Sequence, residues 1–403
     1  MLYSKYHGIL LVFFTLLSNP ALFKKYQTYI VAVVAILLFI PHLYWQYAHH
    51  FPSIQFHLFE RNAARYNFSF TSEFILVQIA LAGPLLGWLF LWAAFSGKPI
   101  TLTERAMKFS MIGIYLVFLV STLKGRAEAN WTVPAFVSLI VLSHQFLFDK
   151  PSIRKWVFRL APVTVLLVFI TRIYMMLDIV PSTTVSKDEF HENKMAASAI
   201  LQKANGLPVV FVNSYQKPSK YWFYTGKKAF ALNTPGYRRN NFNYWPVEDS
   251  IIGRPVYAVG ARSDLFRDSI PGNRYMENGG YRIDNYFSFS KVQITNIREE
   301  LITKDLIQLT CIILAPEHYL PYFQLQPFDR AAVVMAVYDR WGDVAEYLTS
   351  SFTLKQLNEA RTVTTISARH SLPAANYTIK LGIVSCIAGF PSLNSSAIKI
   401  VVK

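Results

Sequence analysis

Long apolar runs crowd the first 177 residues of this chain and then stop. Six can be marked: Tyr3–Leu17, Tyr26–Tyr47, Phe74–Phe95, Ala106–Leu123, Trp131–Phe148 and Trp156–Leu177. A helix needs about 20 apolar residues to cross the hydrocarbon core, and the last five runs meet or approach that length. The first is short and carries Lys5. No small-residue cleavage site follows it, so it does not read as a signal peptide. With 53% hydrophobic residues and a mean hydropathy of +0.26, the chain exceeds the apolar content of an ordinary soluble domain. Residues 1–177 therefore read as a multi-pass α-helical membrane domain of about six helices, and residues 178–403 as a part that lives in water.

A formal charge of +16 raises nucleic acid as a partner. The placement of the charges argues against it, because many Lys and Arg residues sit in short loops between apolar runs. There they orient helices and meet anionic headgroups. One set of loops holds Lys24, Lys25, Lys98, Arg105, Lys108, Lys150, Arg154, Lys155 and Arg159. The other holds only Arg61, Arg65, Lys124 and Arg126. By the positive-inside bias the richer set is cytoplasmic. The stretch LKGRAEANW at 123–131 then lies outside, and so does everything after the sixth run. On this topology the first residue also starts outside, so the sequence reads as a fragment, or a gene model begun late, that lacks earlier membrane helices; the alternative is that the first run is only a re-entrant stub.

The water-exposed part divides again. HENKMAASAILQKANG reads as an amphipathic helix closed by Gly206. LPVVFVNSY and RPVYAVGAR read as strands, which makes residues 178–284 a small α/β region. From residue 285 to 403 seven short alternating runs follow, from FSFSKVQITNI to SAIKIVVK. They point to a β-sandwich. Cys311 belongs to the inward set with Ile307, Leu309 and Ile313. Cys386 falls out of phase with Ile379, Leu381 and Ile383. The thiols can pair outside the cytoplasm, but opposite facing works against bridging geometry.

The charged residues of LKGRAEANW have two readings each. Lys124 and Arg126 grip a phosphate at the outer interface, or they snorkel to water. Glu128 holds a sugar hydroxyl or acts as a base, or it is the counter-ion of Arg126. Arg172 lies inside the outer end of the sixth run and Lys5 near the outer end of the first. Each is a functional-site hypothesis or a snorkelling cation. Arg61 and Arg65, four apart, share a face if their loop is helical, and the simpler reading is a solvated face. His42, His49, His50 and His57 match no zinc spacing, so no metal is expected. Phosphate-binding loops, dinucleotide fingerprints and G-x-S-x-G are absent from the sequence.

Several stretches resemble one family. SKYHGILLV, then LLFIPHLYWQYAHHFPSIQFHLFER with Pro41 and Trp45, then KGRAEANWTVPAF, resemble the membrane region of dolichyl-phosphate-mannose protein mannosyltransferase-like proteins. These are glycosyltransferases of family 39 type with the GT-C fold, related to the aminoarabinose transferases of lipid A. SYQKPSKYWFYTG and YRRNNFNYW resemble the outer α/β region of bacterial members. The resemblance covers about residues 1–260. It implies the C-terminal part of a GT-C fold in a bacterial plasma membrane, with the C-terminal domains outside. The activity implied is transfer of a sugar from a polyprenyl-phosphate donor to an acceptor glycan, lipid or protein. Lys124, Arg126, Arg172 and Lys5 would neutralise the carrier phosphate. Glu128, Asn130, Trp131, Tyr244 and Trp245 would position sugar or acceptor. The family's catalytic acid is expected N-terminal to this chain, so no catalytic residue is assigned, and no cofactor is expected beyond the lipid-linked donor. The rival expectation is a non-catalytic envelope protein whose soluble domains bind glycan or protein.

Overall fold

The computed structural model describes residues 5–49, 51–57, 61–62, 65–179, 189–272, 276 and 279–402. It divides into two compact units, Met1–Ile173 and Tyr174–Lys403. The first is helical, with α1 (Gly8–Ser18), α2 (Tyr26–Ala48), α3 (Pro52–Gln55), α4 (Phe68–Ala82), α5 (Gly87–Ser96), α6 (Leu102–Ser121), α7 (Val133–Phe148) and α8 (Pro151–Met176), whose last residues enter the second unit.

Among the described residues three helices are long and apolar enough to cross a membrane: α2, Ala129–Phe148 and α8. α2 and α8 expose apolar side chains nearly all round, as a helix does when lipid is its solvent. The run Phe74–Phe95, expected as one span, is instead the pair α4 and α5, bent by 93°. The cause is local. Gly83 takes φ +144°, a region closed to most L residues, and Pro84 has no N–H to continue the helix. The pair still crosses the unit from end to end. Thr71 Oγ1 of α4 lies 2.7 Å from Thr122 Oγ1, whereas Phe95 O of α5 accepts from Lys108 Nζ at 2.8 Å, near the start of α6.

α6 was also expected to span. It is long enough, but Glu104, Arg105 and Lys108 crowd its first turns and keep it out of the group of three. Its later turns are the centre of the helical core, where Met111, Ile114, Tyr115 and Phe118 meet Phe74, Ala94, Ala135, Leu139 and Leu142. A Thr101–Glu104 capping box starts the helix. α1 packs on it so closely that a Cβ on Gly113 would lie 2.3 Å from the Phe14 ring.

These contacts sort the basic loops between two ends of the unit. Arg61 donates to the carbonyl of Arg126 at 2.8 Å, so both lie at one end. α1 starts at that end and α2 finishes there, with Tyr6 Oη 2.5 Å from His42 Nε2. The turn between them, with Lys24 and Lys25, is at the other end. Lys98 and Lys150 line a common cavity there.

The second unit opens with α9 (Asn193–Ala204), closed by Asn205 and Gly206 in left-handed conformations. There follow β1 (Val209–Val212), α10 (Gln216–Thr225), β2 (Ala229–Leu232), β3 (Val256–Gly260), β4 (Asp268–Ser269) and β5 (Gly279–Ile283). The sheet order is β2-β1-β3-β5-β4, parallel across the first three strands and antiparallel beyond. Every residue of β1, β2 and β3 is buried. One face is covered by α9 and α10 through Ala196, Ile200 and Tyr221. The other packs on Phe242, Ile251, Phe266 and Tyr286.

The remaining strands are β6 (Gln293–Ile302), β7 (Leu306–Leu314), β8 (Ala332–Tyr338), β9 (Val344–Thr353), β10 (Arg361–Arg369), β11 (Ala375–Ile383), β12 (Ser392–Leu393) and β13 (Ile398–Val402). They form two sheets, β10-β7-β6 and β12-β11-β8-β9, with β13 also on β11. All their pairings are antiparallel. Ile307, Leu309, Cys311 and Ile313 of β7 share one core with Met335 and Val337 of β8 and Ile379, Leu381 and Ile383 of β11. Both thiols are free. Cys386 is not on a strand face at all, because β11 ends at Ile383; its sulfur accepts from the Phe287 amide at 3.3 Å.

The parallel sheet and this core are joined by a buried acid. Glu248 is fully buried and accepts from the hydroxyls of Ser288 and Ser290 and from the Ser290 amide at 3.1 Å. Burial raises its pKa, the serine hydrogen bonds only partly opposing it. Burial also opposes ionisation of neighbouring Asp249. There the Lys291 ammonium and the Tyr319 hydroxyl outweigh it, and the carboxyl titrates below its ordinary value.

Candidate functional site

The densest polar constellation of the helical unit surrounds Trp131. A 3-10 turn, Ala129–Thr132, leads into α7 and places the indole. Gln78 of α4 fixes that turn. Its Oε1 accepts from Thr132 Oγ1 at 2.5 Å, and its Nε2 donates to Ala129 O at 3.4 Å. His7, just ahead of α1, stands with its ring 5.1 Å from Trp131 and 4.8 Å from Phe118. Phe118 is 5.3 Å from Trp131 and completes an aromatic triangle. His57 adds an edge at 6.2 Å.

Charge is laid over this platform. The Arg61 guanidinium sits 4.0 Å above the Trp131 ring, a cation–π distance. Arg61 also reaches Glu128 Oε1 at 3.1 Å and the Arg126 carbonyl at 2.8 Å. Arg126 Nε lies 3.7 Å from Glu73 Oε2 of α4. Lys5 Nζ donates to the Asn130 carbonyl at 3.5 Å. Lys124 is exposed, and its ammonium meets no partner among the described residues. Among the described residues Lys5, Arg61, Lys124 and Arg126 outnumber Glu73 and Glu128, which leaves a positive surplus there.

The structure thus gathers Lys5, Arg126, Glu128, Asn130 and Trp131, with Lys124 in the same loop. Arg172 stands apart, exposed on α8 with no hydrogen bond or ion pair to this group among the described residues. Two expectations change. Glu128 is the partner of Arg61, with Arg126 facing Glu73 instead. The segment with Arg61 and Arg65 is turn and bend where it is described, so the two do not form a helical pair. Arg61 is the best-buried cation of the cluster, its side chain 20% exposed.

Sequence reasoning also passed over His7, Glu73 and Gln78. The Nδ1 of His7 is buried without a hydrogen-bond partner among the described residues. Their signal was faint: single polar residues at the edge of apolar runs. Of the histidines weighed as metal ligands, His50 lies outside the described residues. Among those described, no group of three His, Cys, Asp or Glu side chains has a metal-binding arrangement. His42 instead joins Tyr6, Gln46 and Ser53 in a hydrogen-bonded set that ties α2 to the chain ahead of α1.

Tyr244 and Trp245 belong to the second unit. Asn240 caps the turn Asn241–Asn243 with reciprocal bonds to Asn243, and Asn233 Nδ2 holds Asn243 Oδ1 at 2.7 Å. This asparagine lattice sets the two aromatics that follow. Trp245 lines a cavity of about 640 Å³ with Trp222, Lys227, Lys228 and Arg254. Tyr244 does not line it. Compared with family models, curated proteins and solved structures, the chain matches none.

Proposed function

We propose that the chain is, or is part of, a membrane glycosyltransferase that uses a polyprenyl-phosphate sugar on the extracytoplasmic side. The observation that supports this most is the cationic surplus around Trp131 among the described residues, at one end of a bundle whose flanks are apolar. An anionic lipid head has its hydrocarbon in the bilayer and its phosphate at the depth of helix ends. Arg61, Arg126, Lys124 and Lys5 fit a phosphate on which charge builds as the sugar leaves. Arg61 is fixed by Trp131 and Glu128, so little reorganisation is needed when the charge develops. Glu128 and Glu73, held beside Arg61 and Arg126, fit hydroxyl positioning. The unpartnered Nδ1 of His7 fits a donor or acceptor role toward the ligand. The basic-loop asymmetry supports the outward sidedness, with the α/β and β-sandwich part outside, and the resemblance to the family 39 type proteins supports a GT-C-type helical domain in a bacterial plasma membrane.

The test compares polyprenyl phosphate with the neutral polyprenol on the purified chain. The phosphate should bind at least about ten-fold more tightly, and Arg126→Ala and Arg61→Ala should each erase most of that margin. Equal binding of the two lipids, or an Arg126→Ala variant indistinguishable from the parent, refutes the reading. Phosphate-selective binding without transfer from a labelled donor supports the donor site while favouring the non-catalytic envelope protein over the enzyme.

A further inference from the structure

We infer that the second unit holds a separate binding site for an acidic saccharide in the cavity lined by Trp222 and Trp245. The inference does not rest on the chemistry proposed around Trp131. The usual ligand crevice of a parallel sheet lies at the carboxyl ends of its strands. Here that edge is taken. The carbonyl of Asn233, just beyond β2, accepts from the Leu393 amide of β12 at 2.7 Å, and the carbonyl of Pro235 accepts from Lys380 Nζ of β11 at 3.0 Å. The opposite edge is open. Gly206 to Pro208 ahead of β1, Lys227 and Lys228 ahead of β2, and Arg254 ahead of β3 all line the 640 Å³ cavity. That volume is the size of a small-ligand site.

The lining specifies a ligand class. Trp222 and Trp245 stand 6.4 Å apart with planes at 84°, a corner of two indoles. Trp245 keeps 42% of its surface exposed although Phe242 packs against it in a T-shaped contact at 5.4 Å. The ring of such an anchored, partly exposed indole is electron-rich on its faces. The C–H face of a pyranose, with its partial positive charge, stacks on such a surface. The polar lining is cationic. Lys228 Nζ lies 5.8 Å from the Trp222 centroid, and Lys227 and Arg254 make no ion pair among the described residues. Among the described residues no acidic side chain lines the cavity. Arg254 offers a planar fork and the lysines point charges, which suits a carboxylate or phosphate carried on the sugar. Ser250 at the same wall serves ring hydroxyls. An uncharged saccharide would leave three cations unused, and a bare anion would leave the indole corner unused.

The test titrates the full chain in detergent with trigalacturonate, with glucose 6-phosphate, with neutral maltotriose and with inorganic phosphate, read by calorimetry. The charged sugars should bind saturably, at least about ten-fold more tightly than maltotriose or phosphate. Arg254→Gln and Trp245→Ala should each weaken that binding about ten-fold or more, while Trp245→Phe, which keeps a stacking face, retains most of it. A preference for trigalacturonate or for glucose 6-phosphate separates carboxylate from phosphate recognition within the same inference. Equal binding of phosphate and charged sugar, unaltered binding by Trp245→Ala, or no saturable binding by either charged sugar overturns it. Polyprenyl-phosphate binding measured on the same Trp245→Ala sample stays at the parent level if the two sites are separate.

Discussion

Gly113 offers the sharpest test of how α1 is held against α6, and hence of how Lys5 and His7 reach Trp131. In Gly113→Ala the new Cβ would lie 2.3 Å from Cε1 and Cζ of Phe14. Carbon atoms pack comfortably at about 3.5–4.0 Å, so the ring must retreat by more than an ångström. Overpacking of this kind costs about 1–3 kcal/mol. Replacing a mid-helix glycine by alanine returns about 0.5–1 kcal/mol of backbone entropy. The net effect should be destabilisation by about 1–2 kcal/mol. Phe14→Leu removes the ring that the Cβ meets, so the double variant should recover most of the Gly113→Ala loss relative to Phe14→Leu alone. The assay is equilibrium unfolding of the full chain in one detergent for all members of the cycle. A coupling of about 1 kcal/mol or more is expected, since contacting residues rarely add. Strict additivity, or a stabilised Gly113→Ala, refutes the close approach of α1 and α6.

The Arg61–Glu128 pair should show a coupling of about 0.5–1 kcal/mol in a double-mutant cycle, because Glu128 is half exposed, and high salt should reduce it; no coupling in low salt argues against the pair. Glu248 has a raised folded pKa, so its contribution is full below its ordinary value of 4.5 and is lost as pH rises through the raised one. Glu248→Gln should remove that decline from the stability-pH profile of the second unit, and an unchanged profile refutes the assignment. Burial pushes the Cys311 thiol up to about 11 and the Cys386 thiol up to about 12. Both should ignore a thiol reagent at pH 8 in the folded chain and react fully in denaturant; silence in denaturant would mean they are bridged.

Most strands of the last hundred residues were easy to read because they have one wetter and one buried face, so alternation survives in the sequence; β8, buried along its whole length, was legible instead as a short apolar run. In β7 the set Ile307, Leu309, Cys311 and Ile313 is legible at sight. β2 was not read as a strand. Its four residues Ala229–Leu232 are buried on both faces and follow two lysines, so they carry no alternation and little length. The bend in Phe74–Phe95 was hidden for another reason: apolar content says how much lipid a segment tolerates and nothing about backbone path. Only Gly83 followed by Pro84 marked the break. In the site, LKGRAEANW was legible because charges beside lipid are costly. Its partners were not, because Glu73, Gln78 and His7 are distant in sequence and each looks ordinary alone. The same limit applies to the cleft of the second unit. Trp245 stood out by type, whereas Lys227, Lys228 and Arg254 meet only because three parallel strands start at one edge.

The pairing pattern around Trp131 bears on why so much charge is collected there. Exposed ion pairs contribute about 0–1 kcal/mol each, and the Arg126–Glu73 contact, with side chains 70% and 53% exposed, belongs to that class. Stability alone therefore gives little reason to hold the four cations beside the two carboxylates found among the described residues. A purely structural cluster would also be expected to balance its charge, since each unpaired cation repels its neighbours. The surplus is relieved when an anion enters, and the ligand gains what the empty site lacks. On the proposed function this makes the salt dependence diagnostic. Polyprenyl-phosphate affinity should fall with ionic strength in the parent and fall less steeply in Lys124→Gln, whose exposed ammonium is the most easily screened of the set. A parent whose affinity is indifferent to salt would mean that the lipid is held by its hydrocarbon, and the cations would need another explanation.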